Sequence, residues 1–246
     1  MSVLAFRSLS RLPWLRQQRR CQLCDEAADH AQRDLCSSCE AELPWLGAHC
    51  RICALPLAAD GLICGNCQKH PPTFTRVEAC WRYAFPVDSL INRFKHQARW
   101  PYGRLLAELL AEHLLHAYAE NLPRPQALLP VPLARLRQRQ RGFNQAQMLA
   151  DWLGARLQLP AHGNWLQRHQ ETPAQQGLDA ASRKRNLRRA FTLGSTGSLA
   201  GSHLALVDDV MTTGATAEAL ARLLRQAGAA RIDLYCLART PRPGDI

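Results

Sequence analysis

Four Cys-x-x-Cys pairs follow one another at near-uniform pitch, Cys21 with Cys24, Cys36 with Cys39, Cys50 with Cys53 and Cys64 with Cys67. They constrain the N-terminal part of the chain more tightly than any hydrophobic pattern there. A Cys-x-x-Cys turn aims two thiolates at one ion, and two such knuckles complete a tetrahedral four-cysteine zinc site. Eight thiolates therefore predict two Zn2+ ions. Spacing leaves the pairing open: first with second and third with fourth gives sequential ribbons, whereas first with third and second with fourth gives an interleaved module. With every ligand a thiolate, no coordination position is left for water, so the metal is structural. It is expected to supply most of the folding free energy of so small a segment. Thioredoxin-like redox chemistry uses one such pair at a helix start, not four in series.

A disulfide framework is the competing reading of ten cysteines, and it needs an oxidising compartment. Residues 1–20 carry Arg7, Arg11, Arg16, Arg19 and Arg20, which interrupt every apolar stretch, so no signal-peptide core forms. A cytoplasmic, reducing location is expected. No run is long enough to span a bilayer, and no membrane insertion is expected. The formal charge of +11 points to polyanionic partners, nucleotides, pyrophosphate or nucleic acid, without choosing among them. Cys80 and Cys236 stand apart in strand-like surroundings and read as core residues.

Pro71-Pro72 closes the cysteine-rich part, and from Val77 ordinary globular sequence begins. A helix is predicted from about Asp88, broken at Pro101 and resumed through Leu105, Leu106, Leu109, Leu110 and Leu114. The nearby Glu112-His113 and His116 lack the order of a zincin helix and read as solvated surface. Residues 127–133 read as a buried strand ending in a proline-stiffened loop. Beyond it, Arg135, Arg137, Arg139 and Arg141 alternate in what reads as an extended segment, projecting to one side. Gly142-Phe143-Asn144-Gln145 then opens a helix. Such arginines suit a pyrophosphate clamp or a nucleic-acid backbone. Residues 164–191 have a polar middle between strand-like flanks, which predicts a long loop over a site. Within it, Arg183, Lys184, Arg185, Arg188 and Arg189 form the densest charge cluster.

Near the C-terminus, Leu204 to Val207 lack polar alternation, as in a strand covered on both faces of a parallel sheet, where ligands bind beyond the carboxyl ends. There stand Asp208, Asp209, Val210, Met211, Thr212, Thr213, Gly214, Ala215 and Thr216: two carboxylates, a hydroxylic turn and a helix start. The helix has no Ser/Thr-x-x-Glu box, since Ala215 lies three residues before Glu218, so its N–H groups suit a phosphate. Gly228 sits where the helix should stop.

This last stretch resembles the phosphoribosyl pyrophosphate (PRPP) signature of type I phosphoribosyltransferases. The resemblance implies that Asp208 and Asp209 take the ribose hydroxyls and that Met211 through Thr216 cradle the 5′-phosphate. It also implies a Mg2+ ion carried mainly by substrate oxygens. The four knuckles, Pro130-Val-Pro-Leu133, Arg139-Gln-Arg-Gly-Phe-Asn-Gln145, then Gln175, Leu178, Arg183, Asn186, Ala190 and Phe191, together with the acidic loop, resemble the ComF/GntX family. Ala54 departs from that pattern, in which glycine commonly follows the knuckle.

The implied fold class is α/β, a type I phosphoribosyltransferase-like parallel sheet flanked by helices and preceded by a small double zinc ribbon. The implied organisation is a basic segment over 1–19, the ribbons over 20–72, the phosphoribosyltransferase-like domain over 76–240 and a tail over 241–246. Pyrophosphate or nucleic-acid contacts are expected from Arg139, Arg141, Gly142, Asn144, Gln175, Arg183 and Lys184. The expected role is PRPP binding in natural competence and use of external DNA, with single-stranded DNA and a DNA-uptake motor or helicase as partners. An active Mg2+-dependent phosphoribosyltransferase and a zinc-ribbon adaptor with a vestigial site are the alternatives. No base-binding segment is recognisable after the final strand, so the reaction itself stays open.

Overall fold

The computed structural model describes residues 19–29, 33–169 and 190–241. The chain divides into two compact units, the first reaching Glu42 and the second beginning at Leu43.

In the first unit Cys21, Cys24, Cys36 and Cys39 gather their sulfurs within 4.8 Å of one another. Cys36 caps the short helix α1 (Ser37–Ala41), its Sγ accepting the Cys39 N–H at 3.5 Å. In the second unit Cys50, Cys53, Cys64 and Cys67 gather in the same way beside α2 (Gly65–Lys69), and all four are buried. The knuckles are thus paired in sequence order, as two successive ribbons. Four thiolates around one zinc at about 2.3 Å place neighbouring sulfurs about 3.8 Å apart. Cys24 and Cys36 stand 3.7 Å apart, as do Cys53 and Cys64, so both groups fit the ion. In the second group the Cys64 N–H also donates to Cys50 Sγ at 3.3 Å, a bond that favours the thiolate. Ala54, where glycine was expected, adopts φ +54 and its N–H donates to the Cys50 carbonyl at 2.9 Å. The turn therefore keeps its left-handed residue, with the modest cost a Cβ adds there.

The rest of the second unit is a parallel sheet. β1 (Arg76–Arg82), β2 (Ala127–Pro130), β5 (His203–Met211) and β6 (Arg231–Arg239) lie in the order β1-β6-β5-β2. β5 and β6 are central, which explains their unbroken apolar runs: side chains on both faces are covered. Leu204 and Leu206 join Ile232 and Leu234 in one buried cluster with Leu220 and Leu224 of the helix α7 (Ala215–Gln226) and with the second ribbon's four cysteines. Ala205 and Val207 alternate away from that cluster and are equally buried. The helix α4 (Trp100–Ala119) packs against β1 and β6, and α6 (Gln145–Leu157) against β5 and β2. Residues 44–46 run along the outer edge of β1, where the Leu46 N–H donates to the Cys80 carbonyl at 2.8 Å and the Arg82 N–H to that of Pro44 at 2.9 Å. Trp45 lies against Trp81 there, and the exposed edge of the sheet is closed off. Cys80 and Cys236 are core residues, as expected.

Two helical expectations are adjusted. The break between α3 (Val87–Gln97) and α4 falls at Ala98, which is left-handed at φ +51, and Pro101 sits in the first turn of α4, where its missing N–H costs nothing. His113 is not purely solvated: its Nε2 lies 3.3 Å from Oε2 of the buried Glu78.

Because the second ribbon shares a core with the sheet and the first does not belong to that unit, the two metal sites should differ in consequence. Elemental analysis should return two zinc ions per chain. Cys64→Ser should lower the melting temperature of the main transition, whereas Cys24→Ser should leave that transition in place. Equal effects on the main transition would contradict the partition.

Candidate functional site

The site forms at the carboxyl ends of β5 and β2. β5 carries its apolar run straight into Asp208 and Asp209, which remain strand residues: Asp208 is in register with Cys236 of β6. Each carboxylate is oriented by the next backbone N–H, Asp209 N donating to Asp208 Oδ1 at 2.9 Å and Val210 N to Asp209 Oδ1 at 2.7 Å. Asp209 is buried and Asp208 half-buried.

A cation that the sequence reading did not single out meets them. In α3, Val87, Leu90, Ile91 and Phe94 are buried at helical spacing, and the next residue, Lys95, is carried inward with them. Its Nζ lies 2.7 Å from Asp209 Oδ2, with the lysine side chain only 17% exposed. Lys95 also acts on Asp208. Burial pushes the Asp208 carboxyl up to about 7, against the pull of the ammonium. Burial lowers Lys95 to about 8, with Asp208 opposing and Arg141 adding to the fall.

A cavity of about 320 Å3 opens above this group. Lys95, His96, Arg137, Arg141 and Arg168 provide cationic or basic lining, Asp208 and Asp209 the acidic part, and Gln145 and Thr216 neutral polar groups; Val131, Pro132 and Leu133 complete it. Burial and the neighbouring Arg137 lower both Arg141 and Arg168, so three guanidinium groups crowd one another at the rim. Arg168 comes from β3 (Leu166–Arg168), which pairs antiparallel with β4 (Phe191–Leu193), and its guanidinium lies over the Phe191 ring. An arrangement with carboxylates on one side and converging cations on the other complements a polyhydroxylated anion.

The arginines after β2 are helical, not extended. α5 (Arg135–Arg141) runs from Ala134 to Gly142, which is left-handed at φ +82. Arginine, leucine and glutamine are good helix formers without β-branching, and the glycine stop removes the need for an extended chain. In a helix, residues four apart share a face, so Arg137 and Arg141 reach the cavity together, while Arg135 and Arg139 are exposed away from its lining. Gly142 acts as the helix stop. Asn144 caps α6, Oδ1 accepting the Ala146 N–H at 3.0 Å while Nδ2 donates to the Val131 carbonyl at 3.2 Å, and so ties α6 to the cavity wall. Gln145, the first residue of α6, lines the cavity and accepts a hydrogen bond from Arg141.

Beyond β5, Met211 is buried, Val210 half-buried, and Thr212 and Thr213 are exposed. Gly214 is the N-cap of α7 at φ +76 with no side-chain cap, and a Cβ there would stand 2.6 Å from the Met211 methyl. Glycine takes that left-handed conformation without strain, and any side chain there would displace the Met211 methyl. The Ala215 N–H has a long bond of 3.4 Å to Thr213 Oγ1, and Thr216 faces the cavity. Gln175, Arg183 and Lys184 lie outside the described residues.

The parallel sheet, the acidic strand end and the glycine-capped helix are those of a phosphoribosyltransferase-type domain. Residues 144–244 match the phosphoribosyl transferase domain family, and residues 18–68 the double zinc ribbon domain family. Competence protein F of Haemophilus influenzae is 36% identical over 89% of this chain and 96% of its own length. The DNA utilization protein YhgH of Escherichia coli K12 is 35% identical with the same coverage, and competence protein ComFC of Bacillus subtilis is 26% identical over 84% of each chain. The chain belongs to the competence protein F family.

The strained acid gives a pH signature. Between about pH 4 and pH 7 the folded chain keeps a proton on Asp208 that the unfolded chain has released, so stability falls as pH rises through that window. Asp208→Asn removes the cost of the buried charge. Its melting temperature should exceed that of the wild type at about pH 7.5 and approach it at about pH 5. A variant less stable than the wild type at both values would contradict this account of the site.

Proposed function

We propose that the cavity binds PRPP with Mg2+ and that the protein serves competence or DNA utilisation as a PRPP-binding member of its family. The observation that carries this reading is the Lys95–Asp209 pair at the end of β5, beside an uncapped helix start and three converging arginines. Asp208 and Asp209 accept hydrogen bonds from the ribose hydroxyls. Met211 through Thr216 offer N–H groups and hydroxyls to the 5′-phosphate, favoured by the dipole of α7. Lys95, Arg137, Arg141 and Arg168 face the pyrophosphate, where guanidinium forks give bidentate contacts. A pyrophosphate brought to the rim relieves the mutual repulsion of the arginines and draws Lys95 away from Asp209.

Mg2+, when present with the ligand, offsets pyrophosphate charge. The resemblance to phosphoribosyltransferases implies that the ion would be carried mainly by ligand oxygens. The same geometry suits loss of pyrophosphate from the sugar, and the cavity's lining supports ligand binding directly, through its carboxylates and converging cations.

The exposed face of α5, with Arg135 and Arg139, supplies the electrostatic footprint for single-stranded DNA. Thiolate zinc sites agree with a reducing, cytoplasmic location. Among the described residues no helix is long and apolar enough to cross a membrane.

PRPP with Mg2+ should raise the melting temperature of the wild type and leave the Asp208→Ala/Asp209→Ala double variant unchanged. Lys95→Ala should weaken PRPP on the order of tenfold by calorimetry, the loss of one charge-assisted contact. Absence of any shift in the wild type would overturn the reading. For DNA, log affinity should fall with log salt by about 0.7 for each phosphate contact, and Arg135→Ala/Arg139→Ala should flatten that slope. An affinity indifferent to salt would exclude this interface.

A further inference from the structure

Arg239, the last residue of β6, is buried at 7% exposure and belongs to none of the groups lining the cavity. Its Nε donates to the carbonyl of Cys53, a member of the second four-cysteine group, at 2.9 Å. Its Nη1 donates to the carbonyls of Met211 at 3.1 Å and Thr212 at 2.6 Å, and also to that of Thr240 at 2.7 Å. One guanidinium therefore joins the metal knuckle to the first two residues of the phosphate loop.

Two further struts run the same way. Thr73, just beyond the ribbon, donates its N–H to Glu218 Oε2 at 2.7 Å and its hydroxyl to Oε1 at 2.9 Å, holding the first turn of α7. Phe74 is buried beneath Gly214, its ring 3.9 Å from where a Cβ would stand. The loop consequently has its solvent side toward the ligand and its back against the ribbon's exit.

The chemistry of the clamp is specific. Among the described residues Arg239 makes no ion pair, and its hydrogen-bond acceptors are carbonyls and the Thr240 hydroxyl. A buried guanidinium satisfied only by neutral acceptors is costly unless negative charge lies near. A loaded ribbon carries net negative charge, four thiolates around one divalent cation, and Cys53, whose carbonyl Arg239 holds, is one of its four cysteines.

We propose that Arg239 is a positioning residue that makes the phosphate loop Met211–Thr216 depend on a metal-loaded second ribbon, by clamping the Cys53 carbonyl on one side and the Met211 and Thr212 carbonyls on the other. The proposal rests on reading that loop as the phosphate cradle of the PRPP site. It gives the second zinc a role at a ligand site that begins 144 residues after the last of its cysteines, Cys67, without zinc touching the ligand. It gives no such role to the first.

The test uses the full chain and reads backbone hydrogen exchange over residues 211–216 together with PRPP–Mg2+ affinity by calorimetry. Arg239→Lys keeps the charge but loses the fork, so it should retain two zinc ions, exchange the loop amides on the order of tenfold faster, and bind PRPP on the order of tenfold more weakly. Cys24→Ser in the first ribbon should change neither readout. Should Arg239→Lys fail to fold, wild-type protein treated with a chelator serves instead: loop exchange should rise in step with zinc leaving the second ribbon. Loop exchange equal to wild type in Arg239→Lys, or unmoved by loss of that zinc, would overturn the clamp. If wild type shows no PRPP binding at all, the ligand reading fails while the exchange readout still decides the clamp.

Discussion

The site depends on holding opposite charges where a strand covered on both faces ends in a cavity. β5 brings Asp208 and Asp209 to that position, and a carboxylate there would be neutralised by burial if nothing answered it. Lys95 answers it at 2.7 Å from Asp209, carried there because the apolar face of α3 seats the helix against α4 and the Phe143 and Trp152 rings. The pairing is incomplete, since Asp208 stays raised to about 7 and Lys95 lowered to about 8. Charges left in this condition are poised for a ligand that brings hydroxyl donors to the acids and anionic oxygens to the lysine. Arg137, Arg141 and Arg168 extend the same logic outward, because three crowded guanidinium groups are stabilised by an anion among them.

The zinc ribbons divide in role along the same lines. The first is a separate compact unit, whereas the second shares its buried cluster with β5, β6 and α7. A ribbon too small to hold a core of its own thus becomes part of the wall behind residues 211–216. Arg239, Thr73 and Phe74 add direct struts to that packing, a few named contacts between the ribbon, its exit and the start of α7.

Much of this could be read from the chain alone. The apolar run before Asp208, the glycine start and stop of α7, and the four knuckles are local signals, and local signals survive without tertiary knowledge. Knuckle pairing was not legible, since both arrangements satisfy the same spacing. The arginines of α5 misled because alternation with leucine and glutamine shows no apolar stripe from which to choose a period; their helix reveals itself through Gly142 and the absence of β-branched residues. Lys95 at the end of α3 looks like an ordinary cation complementing a helix dipole. Its burial is decided by β5, more than a hundred residues later. Arg239 likewise reads as a strand-ending charge before a proline, and only the returning ribbon shows what it holds.

The most direct test is a crystal structure of the full chain with PRPP and Mg2+. The ribose hydroxyls are expected on Asp208 and Asp209, the 5′-phosphate over Thr212 to Thr216, and Lys95 Nζ moved from Asp209 to the pyrophosphate. A ligand bound elsewhere, or one seated in the cavity with the Lys95–Asp209 pair intact and the pyrophosphate away from the arginines, would contradict it.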